Sequence, residues 1–293
     1  AAMLLATLPA LAEEPTMSPE TRVDAILEAM TVEEKIDLLA GVDYLYLRGV
    51  PRLGVPRLRM IDGPMGVRSD GPATAFAGGI ALAASWNTEL AERIGVEFGR
   101  EARARGAHFL LAPGVNIYRG PVAGRNFEYL GEDPFLASRI AVGFINGVQS
   151  QGVSATVKHF AANNTEFDRN HADSIVDERT LREIYLPAFE AAVKEARVGA
   201  IMAGYNLTNG EYMSQHARLN NGIAKGEWAF DGVIMSDWIS TYDGLAMANG
   251  GLDVEMPDPT HFNRKTLLPA LESGAVSAAT LDDKVRRILR VAA

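Results

Sequence analysis

Several features are missing from this 293-residue chain, beginning with cysteine. Without cysteine there is no disulfide framework, no thiolate nucleophile and no cysteine-based zinc site, although exported bacterial proteins can also lack cysteine. A basic tract is missing too, and the formal net charge is −9. Nucleic acids and anionic membranes are bound through clustered lysine and arginine, so neither is expected as a partner. A neutral ligand fits this composition better.

Three further absences narrow the class of protein. No stretch reaches 18 uncharged apolar residues, which argues against a membrane-spanning helix, and no GxGxxG turn follows the first strand-like run, which argues against a dinucleotide cofactor. The histidines show neither HxH nor HExxH spacing, so a metal-dependent hydrolase is a weak alternative, and we expect neither a catalytic metal nor any other cofactor. The five histidines are His108, His159, His171, His216 and His261.

The N-terminus carries an apolar segment of a kind found in exported proteins. Residues 1–12, AAMLLATLPALA, are uncharged and end in a small-x-small pattern before Glu13 and Glu14. This pattern is typical of the end of a signal peptide, and the alternative is an apolar N-terminus that simply frays. We therefore expect a signal peptide remnant in residues 1–12 and a secreted or periplasmic protein without a membrane anchor.

Helix signals alternate along the chain with short apolar runs. Hydrophobic residues make up 47% of the chain and charged residues 22%, which suits a folded protein with a large core. The strand-like runs are spaced mostly by a few tens of residues, as βα units require. They are Leu58–Ile61, Phe109–Ala112, Ala155–Val157, Ala200–Ala203, Val233–Met235 and Leu252–Val254. The pattern predicts an α/β fold, a (β/α)8 TIM-type barrel, and leaves open whether the ring is distorted or incomplete.

The predicted helices have recognisable boundaries. Thr31 and Glu34 form a capping box, and Thr280 with Asp283 is expected to open the last helix. Pro187 should interrupt a helix, because proline cannot donate the backbone hydrogen bond that a helix interior needs.

Polar residues follow the strand-like runs, at the end where a barrel carries its active site. In GVIMSDW, for example, the apolar run Val233–Met235 leads to Asp237 and Trp238. Each polar residue has a structural explanation of its own, such as a helix cap for Asp237 or a core histidine for His159. However, the βα loops of a barrel meet at one face, so these residues should converge on one pocket.

Six motifs in this order resemble glycoside hydrolase family 3, on its β-glucosidase side. They are IDGPMGVR at 61–68, GRNFEYLGEDP at 124–134, KHFAANN at 158–164, DERTLREIYLPAFE at 177–190, MAGYN at 202–206 and VIMSDW at 233–238. The resemblance begins near Thr21 and covers nearly the whole first domain of that family. It implies that residues 13–293 form the family's N-terminal barrel domain, and we expect a C-terminal α/β domain, missing from this chain, to pack on the barrel mouth.

The resemblance also implies roles for individual residues. Asp237 would be the nucleophile of a retaining mechanism, and the other site residues would bind the nonreducing-end sugar. Those substrate-binding residues are Asp62, Arg68, Arg125, Lys158, His159, Met202, Tyr205 and Trp238. A retaining glycosidase forms a covalent glycosyl intermediate on a carboxylate about 5–5.5 Å from a carboxylic acid. Nearby cations such as Lys158 and Arg125 are expected to depress the pKa of Asp237 and keep it ionised.

The acid of that pair is not identified by the sequence. In the family the general acid/base is typically a glutamate in the later domain, so this chain resembles a fragment without it. The carboxylates expected near the mouth are Glu128, Glu132, Glu166, Asp168 and Glu255, and none is distinguished by its spacing. The amino-sugar branch of the family has a KHFPGHG-like loop that is absent here, which leaves His171 and Asp173 as a weak alternative dyad.

The sequence therefore predicts an exo-acting β-glucosidase that acts on a β-glucoside or a short oligosaccharide. The alternatives are a β-xylosidase or β-N-acetylglucosaminidase of the same family, and a noncatalytic sugar-binding barrel.

Overall fold

The computed structural model describes residues 17–68 and 71–292, so the predicted signal peptide remnant lies outside the described residues. Strands and outer helices alternate along most of this length. The strands are β1 Gly41–Val42, β2 Tyr46–Leu47, β3 Leu58–Asp62, β4 Phe109–Leu111, β5 Ser154–Phe160, β6 Asp173–Ser174, β7 Ala200–Ala203, β8 Leu207–Thr208, β9 Glu211–Tyr212 and β10 Val233–Met235.

The helices lie between and around these strands. The α-helices are α1 Pro19–Ala29, α2 Val32–Leu38, α3 Gly79–Ala83, α4 Thr88–Ala104, α5 Pro134–Gln149, α6 Glu178–Thr180, α7 Pro187–Lys194, α8 Gly244–Asn249, α9 Arg264–Glu272 and α10 Ala278–Ala292. Two π-helical segments, Leu181–Tyr185 and Arg218–Glu227, and three 3-10 turns, Pro51–Leu53, Asn126–Glu128 and Met213–Gln215, complete the set. Within the described ranges no helix is long and apolar enough to cross a bilayer.

Most helix boundaries follow the local chemistry that the sequence shows. The capping box of Thr31 and Glu34 is present at α2, and Pro187 ends one helical stretch and begins α7. The prediction for the last helix is wrong by three residues, because the capping residue is Ser277 and not Thr280. α10 begins at Ala278, because the Ser277 hydroxyl accepts the backbone N–H of Thr280 at 3.0 Å and so caps the helix earlier.

The main sheet is a curled ring and confirms the predicted barrel, in a distorted form. Its strand order is β1-β2-β3-β4-β5-β7-β10, with parallel pairing from β3 to β10 and antiparallel pairing of β1 with β2 and of β2 with β3. Single parallel bridges from Met235 to Val254 and from Ala40 to Glu255 join the two ends of this order. The distortion therefore comes from its first two strands and from the bridged segment that closes the ring. A separate small sheet has the order β6-β8-β9.

Several strand boundaries differ from the prediction, including the end of β4, which lies at Leu111 rather than at Ala112. Leu252–Val254 is not a regular strand but a bridged segment, because the Asp253 carboxylate accepts the N–H of Ile234 at 2.8 Å alongside the backbone pairing. β3 continues to Asp62, and β5 continues to Phe160. Asp62 and the residues between Val157 and Phe160 thus belong to strands rather than to the loops that follow them.

Glycine allows the outer helices α4 and α5 to touch backbone to backbone. A Cβ at Gly147 would lie 2.0 Å from the carbonyl oxygen of Glu92, and one at Gly95 would lie 2.2 Å from that of Phe144. No side chain fits at such distances, so both helices depend on glycine at their crossing. Of this pair, α5 also packs against β5.

Candidate active site

One cleft of about 800 Å³ lies at the carboxyl ends of the barrel strands. Its volume falls within the range typical of small-molecule sites, about 300–1,000 Å³. All nine residues that the sequence singled out line this cleft, although they come from five separate motifs. They are Asp62, Arg68, Arg125, Lys158, His159, Met202, Tyr205, Asp237 and Trp238.

A buried ion pair joins the ends of β3 and β5. The Lys158 ammonium lies 3.0 Å from the Asp62 carboxylate and 4.0 Å from the carboxylate of Glu128. Burial would raise the pKa of Asp62, but the charge and hydrogen bond of Lys158, helped by Arg68, hold it below its usual value. Asp62 is therefore an ionised hydrogen-bond acceptor at the cleft wall, and Lys158 is the donor beside it.

His159 is completely buried and is held by Asn116. The Asn116 amide donates to the His159 carbonyl at 2.9 Å, and its oxygen accepts the His159 backbone N–H at 2.7 Å and faces ring Nδ1 at 3.1 Å. Burial, followed by the charges of Arg125, Lys158 and Arg169, lowers the pKa of His159 well below its usual value. The imidazole is therefore neutral.

The hydrogen bonds around this ring define its tautomer. A guanidinium nitrogen of Arg125 lies 2.9 Å from His159 Nε2, and guanidinium can only donate. Nε2 must then be the acceptor, so we assign the ring proton to Nδ1, where Asn116 accepts it. His159 thus presents a lone pair that orients Arg125, which also pairs with the buried carboxylate of Glu128.

Asp237 lies within this cluster, and its carboxylate lines the cleft. Its Oδ1 accepts the backbone N–H of Trp238 at 2.7 Å, and its Oδ2 lies 3.5 Å from His159 Nε2. Oδ2 is buried. The Tyr205 hydroxyl hydrogen-bonds the Asp237 carboxylate and contributes to lowering its pKa.

The net pKa shift of Asp237 is opposite to the prediction. Burial raises its pKa above the ordinary value, and the lowering effects of Arg125, Lys158 and the Trp238 backbone N–H do not fully offset this. The prediction of a depressed pKa is wrong because it counted the cations but not the loss of hydration on burial. The cations still favour the charged form, and they do so from one wall of the cleft.

The remaining predicted residues shape the cleft walls. Met202 is buried at the end of β7. Trp238 donates its indole N–H to the carbonyl of Tyr44 at 3.0 Å, and its half-buried indole ring packs edge-on against the Tyr44 ring. Arg68 sits at the rim, with 84% of its side chain exposed and 3.5 Å from Asp62. Met202 and Trp238 give the cleft an apolar wall, and Asp62, Arg125 and Lys158 give it a charged wall.

Arg169 is a cleft residue that the sequence motifs did not reveal. Its guanidinium lies 3.6 Å from the centre of the Tyr205 ring and pairs with Glu166 at 2.6 Å. Cation–π contact and the ion pair hold both side chains in place. Arg169 lies in an irregular loop after β5, where neither periodicity nor strand-end position gives a signal.

The candidate acids fall into two groups. Glu128 and Glu166 line the cleft, and burial raises the pKa of Glu166. Glu132, Asp168 and Glu255 do not line it, and Glu255 instead accepts the backbone N–H groups of residues 261 and 262.

The alternative histidine dyad does not form. His171 Nδ1 lies 2.7 Å from the carboxylate of Asp168 instead, and Asp173 accepts the N–H of Gly210 at 3.1 Å. The pairing of His171 with Asp173 is therefore wrong, because the tight turn at 168–171 folds the ring back onto Asp168. In the part of the chain that the structure describes, no group of three or more histidine, aspartate or glutamate side chains could hold a metal ion.

A barrel with a cluster of hydrogen-bonding and charged groups around a buried carboxylate defines a class of enzyme that acts on small polar molecules. Residues 19–291 match the family model described as the glycosyl hydrolase family 3 N terminal domain. The chain therefore belongs to glycoside hydrolase family 3.

Characterised relatives and solved structures give the same result. A β-glucosidase of Rhizobium radiobacter is 48% identical over 273 residues, covering 91% of this chain and 33% of the relative. Thermostable β-glucosidase B of Acetivibrio thermocellus is 46% identical over 281 residues, covering 92% and 37%. The structure of β-glucosidase 3B from Thermotoga neapolitana in complex with glucose matches with a TM-score of 0.88 and 40% identity, over 92% of this chain and 42% of that one. The chain spans about a third of the length of these curated relatives.

Proposed function

We propose that this chain is the nucleophile-bearing barrel of a retaining, exo-acting β-glucosidase. The observation that carries the proposal is the buried carboxylate of Asp237, which lies in the cleft with the cations Arg125 and Lys158. Relatives named as β-glucosidases match more than nine-tenths of this chain, which supports glucose as the terminal sugar.

The charged wall suits the hydroxyl groups of a pyranose. Asp62 is an ionised acceptor, and Lys158, Arg125 and Arg169 offer charged donors, so a hydroxyl can bond to both kinds of group at once. His159 contributes by fixing Arg125 through their 2.9 Å hydrogen bond. A site with this many buried polar groups discriminates strongly against analogues that lack a hydroxyl, because its own groups would be left unpaired.

The apolar wall suits the C–H face of the sugar. Trp238 is oriented by Tyr44, and Met202 lies beneath the cleft, so both can cover apolar ring carbons. Tyr205 is held by Arg169 beside Asp237, and Arg68 reaches the rim. Together with the charged wall they would fix one sugar with its anomeric carbon facing Asp237.

The chemistry then requires two displacements. In the first, Asp237 Oδ2 attacks the anomeric carbon, the bond to the aglycone oxygen breaks, and that oxygen takes a proton from an acid. In the second, water attacks the same carbon, the bond between that carbon and Asp237 Oδ2 breaks, glucose is released, and the proton of the water goes to the base. Asp237 must be ionised for the first step, and Arg125 and Lys158 favour that form against the cost of burial.

The acid/base remains unassigned within this chain. We propose that it comes from a further segment of the full-length protein that packs over the barrel mouth, because the curated relatives are about three times as long as the matched region. We further propose a secreted or periplasmic location, for which the apolar residues 1–12 are the support.

Covalent trapping tests the nucleophile. The chain is incubated with a 2-fluoro glucoside that carries a dinitrophenolate leaving group, since such a leaving group needs little protonation. We expect one sugar adduct by mass spectrometry on the peptide that contains Asp237. Asp237→Asn should abolish the adduct, whereas Glu132→Gln, which removes a carboxylate outside the cleft, should leave it unchanged.

The same variants separate catalysis from simple binding. A noncatalytic sugar-binding barrel would bind glucose in both forms but form no adduct in either. Labelling of a carboxylate other than Asp237 would refute the nucleophile assignment.

A further inference from the structure

The turn that begins at Asp237 contains a strained point of the backbone. Residues 237–240 form a four-residue turn, closed by a hydrogen bond from the Ser240 N–H to the Asp237 carbonyl at 3.4 Å. Ile239, the third residue of the turn, has a φ of +62°, which glycine adopts freely and a β-branched residue adopts at a cost. Strain of this kind persists where the surrounding bonds over-determine the conformation. We therefore looked for the bonds that hold this turn.

Both sides of the turn are fastened to Met256. The Ser236 hydroxyl accepts the backbone N–H of Met256 at 2.9 Å, and the Ile239 N–H donates to the Met256 carbonyl at 3.2 Å. Ser236 and Met256 are both buried, so water does not compete for the bond between them. Asp237 and Trp238 are thus held between two anchor points on one neighbouring segment.

Ser240 adds a third bond, and this bond acts on the peptide that carries the nucleophile. Ser240 is completely buried, and its hydroxyl donates to the Asp237 carbonyl at 3.0 Å. That carbonyl belongs to the same peptide unit as the Trp238 N–H, which donates to Asp237 Oδ1 at 2.7 Å. Because a peptide unit is planar, fixing the direction of its carbonyl also fixes the direction of its N–H.

The direction of the Asp237 carboxylate depends on this peptide. Oδ1 is held by the Trp238 N–H, and Oδ2 of the same planar group lies 3.5 Å from His159 Nε2. A rotation of the peptide between residues 237 and 238 would take the Trp238 N–H away from Oδ1 and let the carboxylate turn. Ser240 does not line the cleft, so it influences the reaction through Asp237 and not by contact with the sugar.

We propose that Ser240 is a positioning residue for the first displacement: its hydroxyl fixes the peptide between Asp237 and Trp238, and this peptide aims the Asp237 carboxylate at the anomeric carbon. The inference rests on the proposed function, because it concerns the reaction in which Asp237 is the nucleophile. It adds to that function a residue outside the cleft on which the rate, but not the binding of the sugar, depends.

The rate of covalent labelling tests this role. With a saturating concentration of the 2-fluoro glucoside that carries a dinitrophenolate leaving group, the release of dinitrophenolate measures the first displacement, and calorimetry measures the affinity for glucose. Ser240→Ala should slow labelling about ten- to hundredfold, since a displacement of a reacting group by about 1 Å can cost about a hundredfold in rate. Its affinity for glucose should be unchanged, because the groups that line the cleft are the same.

Ser214→Ala is the matched control. Ser214 is also a completely buried serine, but it lies outside the cleft, and across residues 17–68 and 71–292 its hydroxyl has no hydrogen-bond partner. This variant should change neither the labelling rate nor the affinity for glucose.

A second pair of variants separates the hydroxyl from packing at position 240. Threonine and valine have nearly the same shape, and of the two threonine alone carries a hydroxyl. Ser240→Thr should therefore label about tenfold faster than Ser240→Val.

The possible outcomes distinguish this inference from the proposed function. If the wild-type chain labels at Asp237 and Ser240→Ala labels at the same rate, the positioning role is refuted and the proposed function stands. Equal rates in the Ser240→Thr and Ser240→Val variants would refute it as well, and so would a loss of glucose affinity as large as the loss of rate. If the wild-type chain forms no adduct, the proposed function fails and this inference fails with it.

Discussion

Asn116→Asp should weaken sugar binding through a residue that does not line the cleft. The substitution removes the amide that donates to the His159 carbonyl at 2.9 Å and places a carboxylate about where the amide oxygen faces Nδ1 at 3.1 Å. A neighbouring carboxylate favours the protonated imidazolium. The added proton must go to Nε2, which would then face the Arg125 guanidinium as a second donor.

The size of the effect follows from the bond that is lost. A hydrogen bond to a charged group contributes about 1.5–3 kcal/mol, so releasing Arg125 from His159 corresponds to an affinity loss of about ten- to hundredfold. We expect the dissociation constant for glucose, measured by calorimetry, to rise by that factor. Asn221→Asp is the matched control, because that exposed side chain bonds only to the carbonyl of Asn249.

A second measurement keeps this reasoning testable if the variant folds poorly. Nitrogen-15 spectra of the wild-type histidine rings, assigned with His159→Gln, should show a neutral ring protonated at Nδ1. The ring should stay neutral at pH values where an ordinary histidine is protonated, because the pKa of His159 lies well below its usual value. A ring protonated at Nε2, or unchanged glucose affinity in a folded Asn116→Asp variant, would show that Asn116 does not set the tautomer that orients Arg125.

Three other predictions concern buried charge and packing. Lys158→Met should raise the pKa of Asp62, because, among the described residues, Arg68 is then the one charged partner that opposes the effect of burial. Carbon-13 titration of the Asp62 carboxyl measures this pKa, and an unshifted value would contradict the pairing of Asp62 with Lys158. Burial lowers the pKa of Lys284 from 10.5 to about 7. Between pH 7 and pH 10.5 the unfolded chain therefore binds more protons than the folded chain. The free energy of unfolding should rise with pH across this range, by up to about 5 kcal/mol. Lys284→Met should flatten that rise in urea titrations at several pH values, and an unchanged slope would count against it. Gly147→Ala should destabilise the fold by about 1–3 kcal/mol in the same urea assay, because the new Cβ overpacks the contact between α4 and α5. Gly222→Ala is the control and should be neutral or stabilising, because no atom lies within 4 Å of its new Cβ. Equal effects of the two substitutions would contradict the close contact between the helices.

The barrel and the meeting of distant segments could be predicted from the sequence, because parallel buried strands place their carboxyl ends at one edge. The apolar runs before Asp62 and Asp237 were sufficient for this. Strand ends were less predictable: Lys158 lies inside β5, since β5 pairs with β7 as far as Phe160. The roles of the site residues stay predictions until the variants above are measured.

The electrostatic balance of the site was beyond the sequence. Whether the pKa of Asp237 rises or falls depends on how burial compares with the distances to Arg125 and Lys158, and only coordinates supply both. Loop geometry was equally hidden: Arg169 reaches Tyr205 from a loop without a repeating pattern, and His171 turns back to Asp168. Irregular segments carry no periodicity from which a partner can be read.

The closure of the ring through Ala40 and Glu255 has a consequence for synthesis. During synthesis, β1 and the growing sheet have edge strands whose backbone N–H and C=O groups are not yet paired. Such edges can pair with other nascent chains. The bridge between Ala40 and Glu255 cannot form until Glu255 has left the ribosomal exit tunnel. It joins segments separated by most of the polypeptide, so its formation is slow and entropically costly. Chaperone protection during translation should therefore matter more for this protein than its ordinary composition suggests.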